Sequence, residues 1–101
     1  MTLQGTSLIG REAVTGNQAA IRAIDPASGE ALAPDYPGLD RSAVTRACQL
    51  AEEAFATYSE TSLDARAAFL EAIVDEIEAI GDALITRAMA ETGLPRARLE
   101  G

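Results

Sequence analysis

The sequence has 101 residues, room for one domain at most, and is 48% hydrophobic and 24% charged, ordinary proportions for a globular chain. Its net charge is −8; all eight cations are Arg, and there is no Lys and no His. No basic patch can be assembled from so few cations, which argues against phosphate-led nucleic-acid binding and against docking to an anionic membrane surface.

The N-terminus, Met1-Thr2-Leu3-Gln4-Gly5, has neither the basic start nor the apolar run of a signal peptide. No later apolar stretch approaches transmembrane length. A cytoplasmic setting is the expectation.

Ser7-Leu8-Ile9-Gly10 and Ala13-Val14-Thr15-Gly16 are brief apolar runs ending in Gly. They predict two short strands joined by a turn around Gly10-Arg11-Glu12. Ala20 to Ile24 reads as a third strand and Glu30 to Ala33 as a fourth. Between them, Asp25-Pro26-Ala27-Ser28-Gly29-Glu30 carries turn chemistry at each step. Asp25 can accept from its own backbone two residues on, Pro26 pre-sets φ, and Gly29 can take the left-handed conformation. The reading is a β-hairpin with a four-residue loop. Pro34 and Pro37 are then expected to end strand pairing and lead out to helices.

After Asp35 the pattern is almost wholly helical. Asp40 is a good N-cap for a first helix ending near Ser59. Val44, Ala47, Cys48, Ala51, Phe55 and Tyr58 make one apolar stripe, expected to be buried, with Ser42, Arg46 and Glu53 opposite. Thr61-Ser62-Leu63-Asp64 fits a capping box opening a second helix. Phe69, Leu70, Ile73, Ile77, Ile80 and Leu84 cover one of its sides, and Glu71, Asp75, Glu78 and Asp82 line the other. Gly81-Asp82 reads as a break with a fresh N-cap, giving a third helix from Ala83 to about Thr92. Gly93 and Pro95 form a stop signal, and Pro95 can also open a short fourth helix to Gly101. The fold class is therefore α+β: β-hairpins within residues 1–34, then three to four helices within residues 40–101.

Few residues offer chemistry. Cys48 is the single cysteine, so no intrachain disulfide is possible. A reactive thiolate needs a nearby cation, a helix N-terminus or a His. Cys48 has Glu52 one turn away instead, and reads as a small core residue. The stripe Glu71, Asp75, Glu78 and Asp82 could in principle meet a cation, but successive turns of one helix cannot wrap ligands around an ion. It reads as a solvated face. Arg66 projects from the apolar side of the second helix; either it snorkels to water or it meets a carboxylate from another segment. No Gly-rich phosphate loop is present, and no Ser-His-Asp set is possible without His.

Five segments occur in a telling order: Leu8-Ile9-Gly10; Ile24-Asp25-Pro26-Ala27-Ser28-Gly29-Glu30; Ala43-Val44-Thr45-Arg46-Ala47 with Ala54-Phe55; Arg66-Ala67-Ala68-Phe69-Leu70; and Glu91-Thr92-Gly93-Leu94-Pro95. Together they resemble the N-terminal segment of the NAD(P)-dependent aldehyde dehydrogenase superfamily, over nearly the whole chain. Leu94 departs from the Lys usual in the family's Gly-x-Pro motif. Leu94, Leu99 and the run from Arg46 to Phe55 are most similar to the α-ketoglutaric semialdehyde (2,5-dioxopentanoate) dehydrogenase subgroup.

The resemblance implies a part of a larger α/β cofactor-binding domain. Family members are several times longer. They oxidise an aldehyde through a Cys thiohemiacetal, hydride transfer to NAD or NADP, and hydrolysis of a thioester with a Glu base. The nucleophile, the base, the oxyanion-hole Asn and the cofactor-binding βαβ units lie beyond position 101 in such proteins, and Cys48 does not match the catalytic motif. The resemblance therefore implies no catalytic and no cofactor-binding residue here. It does imply a monovalent-cation site on the backbone of Ala23 and Ile24. The implied partner is the remainder of a dehydrogenase chain, and the unpaired apolar helix faces predict self-association in isolation. The rival reading is a non-enzymatic acidic helical module that binds a partner through an apolar groove.

Overall fold

The computed structural model describes residues 2–101, which form two small antiparallel sheets followed by four helices. Strands β1 (Ser7–Ile9) and β2 (Glu12–Val14) pair with Ser7 opposite Val14 and Ile9 opposite Glu12. Gly10 opens the Gly10-Arg11 loop with φ of 61°, which Gly adopts without the steric penalty of a Cβ.

Strands β3 (Ala20–Ile24) and β4 (Ala31–Pro37) form the second sheet. The hairpin loop is built as its residues dictate. The Asp25 N–H donates to the Glu30 carbonyl at 2.9 Å, and the Gly29 N–H donates to the Asp25 carbonyl at 2.7 Å. Asp25 Oδ1 accepts from the Ala27 N–H at 2.8 Å, and Gly29 has φ of 76°.

The fourth strand runs further than the sequence suggests, through Pro34 to Pro37 rather than stopping at Ala33. In a two-stranded sheet every strand is an edge, so a residue without an N–H can lie in it provided that position faces away from the partner.

Helix α1 (Arg41–Ser59) starts at its expected cap: Asp40 Oδ1 accepts from the Ala43 N–H at 2.9 Å. Helix α2 (Leu63–Ala79) is capped by Ser62, whose Oγ accepts from the Ala65 N–H at 3.1 Å. Thr61, expected in that role, instead donates its hydroxyl to the Tyr58 carbonyl at the end of α1. The chain leaves one helix and enters the next within a few residues, and the two adjacent hydroxyls divide the two helix ends between them.

Helix α3 (Gly81–Thr92) begins two residues earlier than expected, with Ile80 at the N-cap and no side-chain cap; Asp82 lies in its first turn. The Ile80 carbonyl accepts from the Leu84 N–H at 2.9 Å, so backbone continuity from α2 does the work of a cap. Gly93 ends α3 with φ of 70°, its N–H donating to the Met89 carbonyl. Pro95 is the N-cap of the five-residue helix α4 (Arg96–Glu100), one position before the helix that its fixed φ was expected to open.

The chain divides into two compact units. One comprises Leu3–Ile21 and Pro34–Arg66, and holds β1, β2 and α1. The other includes Arg22–Ala33 and Ala67–Gly101, and holds the Asp25 hairpin loop, α3 and α4.

Burial departs most from expectation. Among the described residues Ile9 is the buried apolar side chain, and the stripe on α1 is open: Phe55 is 69% exposed, Val44 50%, and Cys48 is exposed as well. The α2 face is equally uncovered, with Ile77 49% exposed. The stripes have helical periodicity, but no second layer covers them within these residues.

Candidate functional site

Ala23 and Ile24 sit side by side in β3, Ala23 half-buried and Ile24 exposed. Consecutive carbonyls of a strand point to opposite edges. One of the two can face a given cation, so the rest of a coordination shell has to come from other segments. Among the described residues no group of three His, Cys, Asp or Glu side chains converges on a metal position.

Glu71, Asp75 and Glu78 are exposed along α2, and Asp82 is exposed in the first turn of α3. Cys48 is a free, exposed thiol on α1, in a chain without His to serve as its base. Arg66 is half-buried and its Nε is enclosed without a hydrogen-bond partner. Of the two alternatives from the sequence, pairing with a carboxylate is not seen among the described residues, and the guanidinium is enclosed and unpartnered at Nε alone.

Helix N-termini are the usual places to receive the phosphates of a dinucleotide. Here the three long helices carry carboxylates at those ends. Asp40 caps α1, Asp64 is in the first turn of α2, and Asp82 is in the first turn of α3. Asp40 is also held ionised. The Ala43 N–H, the Ser42 hydroxyl and the Asn17 amide all donate to it and lower its pKa from the ordinary 3.8. A carboxylate at a helix start offsets the positive end of the helix dipole, and at α3 Asp82 is itself paired with Arg96.

Two arginines organise one unit. Arg87 on α3 lies 2.7 Å from Glu91 through Nε, and its Nη1 donates to the Ala33 carbonyl at 2.6 Å. Arg96 bridges α4 to α3, with Asp82 at 3.0 Å, Glu100 at 3.0 Å and the Thr86 hydroxyl at 3.3 Å. Its pKa is raised, chiefly by the bond to Glu100. The i,i+4 spacings of Arg87 with Glu91 and of Arg96 with Glu100 were visible in the sequence. The contact of Arg87 with Ala33, 54 residues away, was not.

None of these groupings is a catalytic constellation, and comparison with known proteins says what kind of chain this is. The model of the aldehyde dehydrogenase family matches residues 13–101. The chain belongs to the aldehyde dehydrogenase family.

Among curated relatives, alpha-ketoglutaric semialdehyde dehydrogenase 2 of Azospirillum brasilense is 57% identical over 102 residues, covering 100% of this chain. Alpha-ketoglutaric semialdehyde dehydrogenase of Acinetobacter baylyi is 33% identical over 97 residues, covering 96% of the chain. The chain spans 19% and 18% of those relatives' lengths. No solved structure matches it significantly. The family generally uses NAD(P). Among the described residues no helix is long and apolar enough to cross a membrane.

Proposed function

We propose that this chain is the N-terminal portion of an NAD(P)+-dependent aldehyde dehydrogenase that oxidises α-ketoglutaric semialdehyde to the carboxylate through a Cys thioester. The observation that carries this is the 57% identity to the Azospirillum relative across 100% of the chain. The segment supplies β-hairpins and outer helices to the cofactor-binding domain. The nucleophile, the base and the dinucleotide site belong to the remainder of the polypeptide, which is its partner. No cofactor site is proposed within this chain. A monovalent cation is proposed at β3, with the Ala23 or Ile24 carbonyl as one ligand. The compartment we propose is the cytoplasm.

The test is a chimera in which this chain replaces the matching segment of the Azospirillum relative. Reduction of NAD+ or NADP+ with α-ketoglutaric semialdehyde, followed by absorbance, is expected to persist. A chimera that folds with the parent's thermal stability yet turns over no aldehyde counts against the proposal. A free-standing acidic helical module has no comparable support, because the match runs through both hairpin and helical segments.

A further inference from the structure

The hairpin loop fixes which carbonyls of the second sheet face outward. The Asp25 N–H donates to the Glu30 carbonyl at 2.9 Å, so the backbone groups of those two residues turn toward each other and those of Ile24 and Ala31 turn away. The same alternation turns the Ala33 carbonyl to the outer edge of β4, where Arg87 Nη1 meets it at 2.6 Å. Ile24 is left on the free edge of β3 with a carbonyl that the ladder does not use. A backbone carbonyl of this kind is the donor type that takes the place of water around an alkali cation, so the strand fits the cation proposed above. We propose that Arg87 is a positioning residue for that cation: by tying β4 to α3 it holds the Ile24 carbonyl in the orientation that binds. The proposal rests on the cation reading above.

A two-stranded ribbon is marginally stable by itself and twists readily. This ribbon is weakened further at Pro34, next to Ala33, which has no N–H to give to a ladder. Arg87 ties it at that point, with a charged donor, the stronger class of hydrogen bond. A second approach lies at the loop, where a methyl group built at Gly93 would fall 3.2 Å from Pro26 Cγ. Along the ribbon Ile24 therefore lies between two places at which the end of α3 meets it, and all of these residues belong to one compact unit. Arg87 is itself fixed: its Nε holds Glu91 at 2.7 Å, and its side chain is 22% exposed. Glu91 also offsets its charge, which limits repulsion of a cation on the far edge. Without Arg87 the ribbon pivots on the loop contact alone, and the Ile24 carbonyl loses its fixed aim.

The experiment follows thermal unfolding of the chimera against potassium or sodium chloride, with tetramethylammonium chloride holding ionic strength constant. A cation that binds the folded state raises the unfolding temperature, and the concentration at which the rise sets in follows the dissociation constant. In Arg87→Ala that onset is expected at about fivefold higher concentration or more, the lower end of ordinary coupling between two sites. Arg96→Ala is the control, since it breaks the bridge from α4 to α3 in the same unit and has no bond to β4. It is expected to lower the unfolding temperature at every concentration and leave the onset in place. A uniform drop in Arg87→Ala with an unmoved onset overturns the proposal, as do equal onset shifts in both variants. Arg87→Met keeps the apolar stem and takes the place of Arg87→Ala should that variant misfold. An active chimera indifferent to both cations removes the cation reading, and the proposal with it, while the dehydrogenase reading stands. A folded, inactive chimera whose onset is displaced by Arg87→Ala and not by Arg96→Ala supports the positioning role while the dehydrogenase reading fails.

Discussion

Arg87 on α3 donates through Nη1 to the backbone carbonyl of Ala33 on β4 at 2.6 Å, while its Nε holds Glu91 at 2.7 Å. One guanidinium thereby joins a helix to the second hairpin and braces its own helix face. A charged donor to a carbonyl contributes about 1.5–3 kcal/mol net, against about 0.3–0.5 kcal/mol for an i,i+4 ion pair. Arg87→Ala is therefore expected to destabilise the fold several times more than Glu91→Gln. Urea unfolding of both variants checks the order. Arg87→Lys is expected to recover little, because one ammonium cannot reach both partners in the fork geometry.

Asp40 gives α1 a dependence on pH. Its carboxylate accepts from the Ala43 N–H, Ser42 and Asn17, which lowers its folded pKa below the ordinary 3.8. A group whose pKa is depressed on folding contributes stability that is fully present above its unfolded value and is lost as pH falls through the folded value. Helicity followed by circular dichroism from pH 6 downward is thus expected to hold to about pH 4 and then decline. Asp40→Asn keeps an amide oxygen for the Ala43 N–H and is expected to flatten that part of the curve. An unchanged acid limb in Asp40→Asn counts against this role.

Gly29 and Gly93 share a positive φ, 76° and 70°, but differ in surroundings. A methyl group built at Gly29 meets nothing within 4 Å, whereas at Gly93 it lies 3.2 Å from Pro26 Cγ. Gly29→Ala is expected to cost only the backbone term, about 1–2 kcal/mol. Gly93→Ala adds a crowded contact and is expected to cost more. Thermal unfolding of the two variants distinguishes them, and Gly29→Asn should recover part of the loss, since Asn tolerates the left-handed region.

Local elements were legible because their causes are local. The Asp25 to Glu30 loop, the Asp40 cap and the Gly93 stop each depend on side chains within a few residues, and each takes the form that the sequence predicts. Three features escaped. β4 passes Pro34 because its sheet has only edge strands, a property of topology rather than of the residue. The Arg87 to Ala33 bond joins distant segments that no periodicity connects. The α1 stripe satisfies the pattern of a buried face, yet periodicity says which residues share a side and not whether anything covers it; Phe55 is 69% exposed. The family was legible from ordered motifs such as Ile24 to Glu30, while the chemistry of the site was not, since no residue here carries it.

The exposed apolar surface also predicts how the chain behaves alone. Ile73 and Ile77 are 40% and 49% exposed, and burying them against another copy is favourable. The net charge of −8 opposes that encounter, and salt screens the repulsion over a Debye length of about 10 Å at 0.1 M. Association is therefore expected to be weak at low ionic strength and stronger as salt rises, the reverse of an ion-paired interface. Sedimentation equilibrium at micromolar concentration, repeated across a salt series, measures it. Ile73→Glu combined with Ile77→Glu is expected to hold the chain monomeric at every salt concentration without unfolding it, because both positions already face solvent. The unsubstituted chain remaining monomeric throughout the series would refute the expectation, as would a double variant that associates equally well.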